Sequence, residues 1–255
     1  LLRREQYRRA DDLNLSRDIA RSIVIAKVNN SRVVLQRALR EHPDIPGAQN
    51  IADVIDHLME TLKALETVTT LDGIRGLEGE AARNYFKVFD SLIFNQKDDF
   101  FLKERNRRPP LDNMNALLSF LYTLLVHDVT SALETVGLDT GVGFLHRDRP
   151  GRPGLALDIM EEFRPYLGDR LALSLVNLKH ITGKGFSKTE TGAVLMNDET
   201  RKTVITAYQN RKREEITHPF LKEKIAVGLL PYAQALLLSR HLRGDMDGYP
   251  PFLWR

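Results

Sequence analysis

Apolar residues recur every three or four positions along most of this 255-residue chain, which is the period of one face of an α-helix. The pattern is clearest over residues 13–41, and it repeats over residues 50–66. The first stretch runs into His42-Pro43, and the residue before a proline disfavours helical backbone, so we place a helix end there. Two consecutive amphipathic helices are therefore predicted near the start of the chain.

Helical patterns also dominate the remainder of the chain. One helix is expected from about Leu71 into the nineties, and a long, strongly apolar one over residues 112–136, where Asp112 can cap the first turn. Later helices are expected near 154–180, 198–214 and 219–242. The pattern indicates a mainly all-α fold.

Two segments depart from the helical pattern. Residues 137–154 combine glycine, proline and arginine, as is typical of a loop, and residues 183–197 are the single plausible small β-hairpin. The composition shows no repeat and no break, which indicates one helical domain over 13–255 with an irregular tail at 243–255. Residues 1–12 are expected to be an interdomain linker or the start of the first helix.

Composition excludes several classes of protein. With 42% hydrophobic and 28% charged residues, the chain is neither disordered nor a membrane protein, and we identify no uninterrupted apolar run of about 20 residues. The absence of cysteine excludes disulfides, thiolate metal sites and cysteine nucleophiles. The charged start is unlike a signal peptide, so a cytoplasmic location is expected. The chain opens without Met, so we expect an N-terminal part of the natural protein to be missing.

Positive charge is concentrated in patches although the net charge is only +3. Residues 1–40 hold ten Lys or Arg against four acids, and three further basic clusters surround Arg107, Arg149 and Lys212. Patches of this kind suit partners rich in phosphate, so nucleic acid is favoured.

Two motifs that imitate known sites have structural explanations. Gly141-Val142-Gly143 lacks the third glycine of a dinucleotide fingerprint. His127-Asp128 is similar to the dyad of metal phosphohydrolases, but it lies in an apolar helix with no clear partner histidine. A structural histidine is the favoured interpretation, and a metal-dependent phosphohydrolase is kept as an alternative.

Three separate segments carry candidate metal ligands. Glu78 lies between Gly76 and Gly79, and His146 lies in the loop rich in glycine and arginine. Asp158 and Glu161 are three residues apart, so both point to one side of a helix. Asp158 has apolar neighbours, and a carboxylate in that setting needs a partner such as a cation.

A glutamate, a histidine and an aspartate from distant segments make a plausible mixed oxygen and nitrogen site. Mg²⁺ or Mn²⁺ suits such ligands, and either ion can polarise a phosphoryl oxygen. Arg147, Arg149 and Arg152 flank the histidine and could hold a phosphate backbone. We therefore expect Glu78, His146 and Asp158 to meet in one polar cleft, with Glu161 nearby.

The sequence at these segments resembles the CRISPR-associated integrase family, Cas1. The resemblance covers nearly the whole chain in the expected order. It is carried by residues 75–86, 107–122, 137–152, 155–165 and the ending Tyr249-Pro250-Pro251-Phe252-Leu253-Trp254. The residues of the last two segments are most similar to those of the group found in type I-C systems.

The resemblance implies roles for particular residues. Glu78, His146 and Asp158 would be catalytic metal ligands, with Glu161 as a further ligand to Mg²⁺ or Mn²⁺. The remaining positions that match motifs or flank the histidine are assigned to DNA contact or to support of the site. DNA contact is expected of Arg75, Arg147, Arg149 and Arg152, and site support of Tyr85 and Asn115.

The resemblance also implies a reaction and partners. A prespacer 3′-hydroxyl would attack a phosphodiester at the CRISPR repeat, and so insert DNA into the array. The family has an N-terminal β domain, which we expect to be missing here, and a helical catalytic domain. It forms homodimers that are bridged by the Cas2 subunit. A Cas4 nuclease is expected as an accessory partner in some systems, and no membrane association is expected. A non-catalytic helical DNA-binding subunit is the other alternative.

The apolar, proline-containing tail at residues 249–255 has two interpretations. By default it packs on its own domain, and alternatively it reaches the Cas2 subunit. The alternative predicts that deleting the tail weakens that complex more than it lowers stability.

Overall fold

The computed structural model describes residues 1–147 and 149–254, and the described chain is mainly helical, as the pattern predicts. The helices are α1 (Leu2–Asp11), α2 (Leu13–Glu41), α3 (Ala48–Thr67), α4 (Leu71–Phe89), α5 (Asn113–Val136), α6 (Gly154–Glu161), α7 (Arg170–Asn177), α8 (Asp198–Arg213) and α9 (Leu230–Leu242). Two antiparallel hairpins complete the fold: β1 (Phe186–Lys188) with β2 (Val194–Met196), and β3 (Glu215–Thr217) with β4 (Lys224–Ala226).

The core lies between two groups of helices. Helix α2 packs against α3 and α4, while α5 packs against α6 and α9. Leu117, Leu121 and Leu125 of α5 are fully buried in this core. In the described chain, α5 is the one helix long and apolar enough by length and composition to cross a membrane, and half of its apolar window is buried inside the protein. It is therefore a core helix here, and its bounds agree with the long, apolar helix predicted over residues 112–136.

Side-chain caps set where the long helices begin. The Asp12 carboxylate accepts hydrogen bonds from the backbone N–H groups of Asn14 and Leu15, and it separates α1 from α2. The Asp112 carboxylate accepts from the N–H of Asn115 at 2.7 Å, which confirms the predicted cap of α5. Gly137 ends α5 with φ of 90°, a left-handed conformation that favours glycine.

The predicted helix over 154–180 is interrupted. Helix α6 ends at Glu161, and a π-helical segment over Arg164–Asp169 precedes α7. Pro165 explains the break, because proline has no N–H to donate and its ring crowds the preceding turn. The interruption lies beside the candidate site. In proteins generally, π-helical turns within α-helices are often found at functional sites.

The expectation of at most one hairpin fails at residues 215–226. The predicted hairpin within 183–197 is present, but β3 and β4 form a second one, and the last long helix begins at Leu230 instead of near residue 219. Strands of three residues are too short to show a period of two. Pro219 and the left-handed Lys222, with φ of 62°, mark the turn between them.

The tail packs on its own domain, as the default interpretation expects. Phe252 is fully buried against the rings of Phe163 and Tyr166. The amide of Asn30 on α2 donates to the Phe252 carbonyl at 2.9 Å and its oxygen accepts from the Trp254 N–H at 2.9 Å. The tail is therefore part of the hydrophobic core.

Candidate active site

A lysine that the sequence analysis did not single out lies at the centre of the candidate site. Lys27 on α2 forms ion pairs with the Glu78 carboxylate on α4 and with Glu161 Oε2, the latter at 2.7 Å. The Glu161 side chain is only 3% exposed. Three helices thus bring two of the predicted ligands to one ammonium group.

Asp158 is fully buried and holds the loop that carries His146. Its Oδ2 accepts from the N–H groups of Phe144 and Leu145 at 2.6 and 2.9 Å. Its Oδ1 lies 2.9 Å from the His146 N–H and 2.6 Å from His146 Nδ1. The partner that a buried aspartate needs is therefore the loop backbone and the imidazole.

A glycine makes this contact between loop and helix possible. A Cβ atom at Gly143 would lie 2.7 Å from Asp158 Oδ2 and 2.8 Å from the Gly154 carbonyl carbon. No side chain fits there without moving backbone. The glycine-rich loop of the sequence therefore serves the close approach of His146 to α6.

The hydrogen bond to Asp158 determines what the imidazole can offer. When Nδ1 carries the proton and donates it to the carboxylate, Nε2 keeps a free lone pair. His146 Nε2 lies 4.0 Å from Glu161 Oε1, so the nitrogen that keeps the lone pair is close to the Glu161 carboxylate. His146 is 21% exposed, which leaves the ring accessible.

Positive groups keep Glu161 ionised although it is buried. Burial alone would raise its pKa, but the positive charges of Arg164 at 2.8 Å and of Lys27 hold the pKa of this carboxyl well below its usual range. Oε2 accepts no well-directed hydrogen bond from the described residues, even with Lys27 at 2.7 Å. Such an oxygen retains the capacity to bind a cation.

The donor set fits a hard divalent cation. Carboxylates of Glu78 and Glu161 and the imidazole Nε2 are the oxygen and nitrogen ligands that suit Mg²⁺ or Mn²⁺. Over residues 1–147 and 149–254, no three His, Asp or Glu side chains surround a common point as metal ligands do. The Lys27 ammonium instead supplies the positive charge between the two glutamates.

Tyr85 and Asn115, the expected supporting residues, lie near this cluster. The hydroxyls of Tyr85 and Tyr122 donate to the two oxygens of buried Asp169, at 3.0 and 2.5 Å. Burial raises the pKa of Asp169 to about 6, and the two hydroxyls oppose that rise. Asn115 accepts from an Arg105 guanidinium nitrogen at 2.6 Å, so it acts through that arginine.

The predicted DNA-binding arginines have different surroundings. Arg75 donates through Nε to the Leu145 carbonyl at 2.7 Å, so it supports the His146 loop. Exposed Arg147 contacts Asp72 at 3.2 Å. Arg149 and Arg152 line a separate open depression of about 750 Å³. The structure therefore does not bring all four arginines to the cluster.

A basic cleft of about 580 Å³ adjoins the cluster through Lys27 and Gly79. Basic side chains outnumber acidic ones on its wall, where the acids are Glu104 and Asp169. Besides Lys27, the basic residues are Arg83, Lys87, Lys103, Arg105, Arg107 and Arg164. The basic cluster around Arg107 is visible in the sequence, but the cleft that it helps to form depends on the fold.

Within the His127-Asp128 motif, only the aspartate has structural partners in the described chain, so the expectation of a structural histidine is wrong. Asp128 accepts from the Tyr208 hydroxyl and from Lys212 Nζ, both at 2.8 Å. His127 is exposed on α5. Asp128 joins α5 to α8 through these two contacts, which accounts for the aspartate without a metal.

The missed residues had a weak signal in the sequence. Lys27 lies on the apolar face of α2, one turn after Ile23 and next to Val28, and it is 8% exposed. A lysine on a buried face needs an anionic partner. That partner lies 51 residues away in Glu78, so only the fold identifies it.

The fold and this cluster define a mainly helical protein with a carboxylate and histidine site at the edge of a basic cleft. Residues 1–210 match the family described as CRISPR associated protein Cas1. The chain belongs to this family.

Curated relatives agree with the family assignment. CRISPR-associated endonuclease Cas1 1 of Chlorobaculum tepidum is 55% identical over 255 residues, covering 100% of this chain and 74% of the relative. CRISPR-associated endonuclease Cas1 of Leptospira interrogans is 45% identical, with 100% of both chains covered. A Cas4 exonuclease/Cas1 endonuclease fusion of Geobacter sulfurreducens is 37% identical, with 98% of this chain and 45% of the fusion covered.

Solved structures share the fold. A CAS1 protein from Thermotoga maritima has a TM-score of 0.80 at 28% identity, with 95% of this chain and 71% of that chain covered. A Cas6-RT-Cas1–Cas2 complex has a TM-score of 0.82 at 26% identity, with 99% of this chain and 26% of that chain covered. A casposase bound to integration product has a TM-score of 0.85 at 23% identity, with 100% of this chain and 68% of that chain covered. At this level of identity the likeness shows a shared fold alone.

Proposed function

We propose that this chain is a metal-dependent DNA endonuclease and integrase that inserts prespacer DNA into a CRISPR array. The observation that carries the proposal is that Lys27 pairs with both Glu78 and Glu161 beside a basic cleft, while His146 Nε2 lies 4.0 Å from Glu161 Oε1. The names of the curated relatives, CRISPR-associated endonuclease Cas1, support a nuclease.

Glu78, Glu161 and His146 Nε2 are the proposed ligands of Mg²⁺ or Mn²⁺. When bound, the ion would polarise a phosphoryl oxygen and neutralise charge that develops on the phosphate. Asp158 is a positioning residue in this proposal, because both of its oxygens already hold the loop and the His146 ring. Such carboxylate partners orient metal-binding histidines.

The other residues of the site hold and position DNA. Arg164 stays paired with Glu161, and the basic wall of the cleft binds phosphates, so that a 3′-hydroxyl and a phosphodiester are held in reach of each other. The attacking 3′-hydroxyl gives up its proton as its oxygen bonds to phosphorus, the bond from phosphorus to the leaving 3′-oxygen breaks, and the leaving oxygen takes up a proton, so no net proton is consumed. This exchange needs no other co-reactant.

We also propose that the chain acts in the cytoplasm as a homodimer together with Cas2 and, in some systems, Cas4. The structural likeness to a Cas6-RT-Cas1–Cas2 complex supports a Cas2 partner. The similarity to a Cas4/Cas1 fusion supports a Cas4 partner.

Strand transfer on branched DNA tests the proposed function. We expect activity with Mn²⁺ or Mg²⁺, none with EDTA, and at least a hundredfold loss in Glu78→Gln, Glu161→Gln and His146→Ala. His127→Ala is the matched control, because that histidine is exposed and outside the cluster. DNA binding without metal-dependent transfer would instead identify a non-catalytic DNA-binding subunit.

A second readout separates ligands from the positioning residue. In thermal denaturation, Glu161→Gln should lose the stabilisation by added Mn²⁺ while it still folds. Asp158→Asn should lower the melting temperature even in EDTA, because its amide would face backbone N–H donors. An Asp158→Asn protein with unchanged metal-free stability would contradict the positioning role.

A further inference from the structure

Three arginines and two aromatic rings alternate in one stack outside the basic cleft. The guanidinium carbons of Arg37 and Arg170 lie 5.3 Å and 4.5 Å from the centre of the Trp254 ring. Those of Arg170 and Arg211 lie 5.5 Å and 5.2 Å from the centre of the Tyr166 ring. Contacts of this kind attract a cation to the face of the ring and hold it there. This arginine stack therefore fixes three positive groups close together, and none of its five residues lines the basic cleft.

The charge of Arg170 has no counterpart in the part of the chain that the structure describes. Arg37 pairs with Glu41 at 3.0 Å, and Arg211 pairs with Glu214. Arg170 forms no ion pair and its guanidinium donates no hydrogen bond to the described residues. Burial and the like charges of Arg211 and Arg37 lower the pKa of Arg170 to about 10, yet the group stays charged at neutral pH. A partly buried charge without a partner is costly, so an anion from outside would stabilise the stack.

A pocket of about 300 Å³ opens beside Arg170 and Arg211. Its wall adds three polar side chains that can donate hydrogen bonds: the Ser174 hydroxyl, the Asn210 amide and the His180 imidazole. The single described acid on the wall already pairs with Arg211. A planar guanidinium group binds phosphate oxygens through two parallel hydrogen bonds, so this wall suits a phosphate group.

We propose that Arg170 and Arg211, with Ser174 and Asn210, form a binding site for a single phosphate group, either free or carried by a small organic ester. The two guanidinium groups hold the phosphate oxygens, and the hydroxyl and the amide complete the set of donors. The bound phosphate balances the charge of the arginine stack and so fastens Trp254 of the tail between α2 and α7. The inference does not rest on the proposed function.

Size favours a small ligand over a DNA strand. A pocket of about 300 Å³ holds one phosphate group with a small substituent, whereas a strand would leave most of its nucleotides outside. Arg170 and Ser174 also line a neighbouring cavity of about 490 Å³. The wall of that cavity includes the exposed apolar side chains of Phe94 and Leu178, which suit the organic part of an ester.

Trp254 makes the site measurable, because it is the only tryptophan in the sequence and its ring contacts Arg170. Inorganic phosphate is titrated in EDTA at constant ionic strength, with chloride as the exchanged anion. We expect a saturable change in the emission of Trp254 and a higher melting temperature in phosphate than in chloride. A folded protein in which neither quantity responds to phosphate would overturn the site.

Substitutions in the stack test the two guanidinium groups. Arg211→Gln removes one of them while the contact between Arg170 and Trp254 remains, and it should weaken phosphate binding about tenfold. Arg213→Gln is the matched control, because it makes the same change of charge at an exposed position in the last turn of α8 that does not line the pocket. Equal losses in these two variants would show binding by net charge alone and overturn the site.

A third variant keeps the charge and changes its shape. Arg170→Lys retains a cation beside Trp254 but loses the planar fork, so it should fold normally and bind phosphate severalfold more weakly. Unchanged binding in both Arg170→Lys and Arg211→Gln would overturn the assignment to this pocket.

Two further ligands identify the source of the phosphate. Thymidine 5′-monophosphate should bind more tightly than inorganic phosphate when the neighbouring cavity takes the organic part, and equal binding would indicate free phosphate; either result supports the site. A short oligothymidylate without a terminal phosphate should leave the phosphate titration unchanged. Displacement of phosphate by this oligonucleotide would identify a DNA contact and overturn the assignment to a small ligand. Strand transfer enters none of these measurements, so the site and the proposed function can fail independently.

Discussion

At the scale of single residues, the candidate site is a balance of buried charges. Glu78 and Glu161 carry two negative charges, and Lys27 and Arg164 compensate them through ion pairs. Charges removed from water are tolerated when they are paired, and removing one partner leaves the other exposed to the low dielectric of the interior. Lys27 therefore has a structural role in the metal-free protein.

Replacing Lys27 by methionine tests this role. In EDTA, Lys27→Met should lower the free energy of unfolding by about 2 kcal/mol, less than for an isolated buried pair, because Arg164 still neutralises Glu161. Added Mn²⁺ should restore stability at a lower metal concentration than the unaltered chain requires. Urea denaturation with and without Mn²⁺ measures both effects. Unchanged stability of the variant in the absence of metal would contradict the structural role of Lys27.

Residue types, but not their partners, could be predicted from the sequence. Glu78, His146, Asp158 and Glu161 stood out because carboxylates and imidazole beside glycine or apolar residues need an explanation. Which of them would bind an ion and which would position the loop could not be predicted. Those roles depend on the backbone N–H groups of the His146 loop, whose path the sequence does not specify.

At the scale of elements, the π-helical segment Arg164–Asp169 connects the cluster to the cleft. Its first residue pairs with Glu161, and its last accepts from Tyr85 and Tyr122. Long periodic helices such as α2 and α5 were predictable, since many positions report the same face. This interruption was not, because a short π-helical segment has no period of its own and Pro165 alone does not fix the new geometry.

Asp169 should give the protein a measurable pH dependence. Burial raises its pKa from 3.8 to about 6, so the folded carboxyl keeps its proton at pH values where the unfolded one has lost it. Folding then takes up a proton, and the stability from Asp169 falls by roughly 3 kcal/mol as pH rises from about 4 to about 6, then levels off.

Urea denaturation at several pH values between these limits measures the effect. Asp169→Asn has no titrating carboxyl and still offers an acceptor to a tyrosine hydroxyl, so its stability should fall less steeply over that range. An equal slope in both proteins would show that other groups account for the pH dependence.

At the scale of the whole molecule, the tail connects distant parts of the chain. The Glu162 carboxylate accepts from the Tyr249 hydroxyl at 2.6 Å, the Phe252 N–H at 2.7 Å and the Gln234 amide at 3.0 Å. Asn30 fixes the same tail to α2. Glu162 directly follows Glu161, so the tail also braces the end of the helix that carries a proposed ligand.

Truncating one tail side chain separates core packing from partner contact. Phe252→Ala should cost about 4 kcal/mol of unfolding free energy, because Phe252 is fully buried. Leu253→Ala, at a partly buried neighbour, should cost much less. A pull-down with Cas2 on folded samples completes the test, and weakened capture with unchanged stability would favour the partner interpretation.

The contact between Glu162 and Phe252 also has a consequence for protein synthesis. Two of the donors to the buried Glu162 carboxyl, the Tyr249 hydroxyl and the Phe252 N–H, leave the ribosome 87 and 90 residues after Glu162 does. A partly made chain therefore cannot brace α6, and we expect interrupted translation products to lack an ordered site. If the proposed function holds, fragments that end before residue 249 would lack a fully braced candidate site.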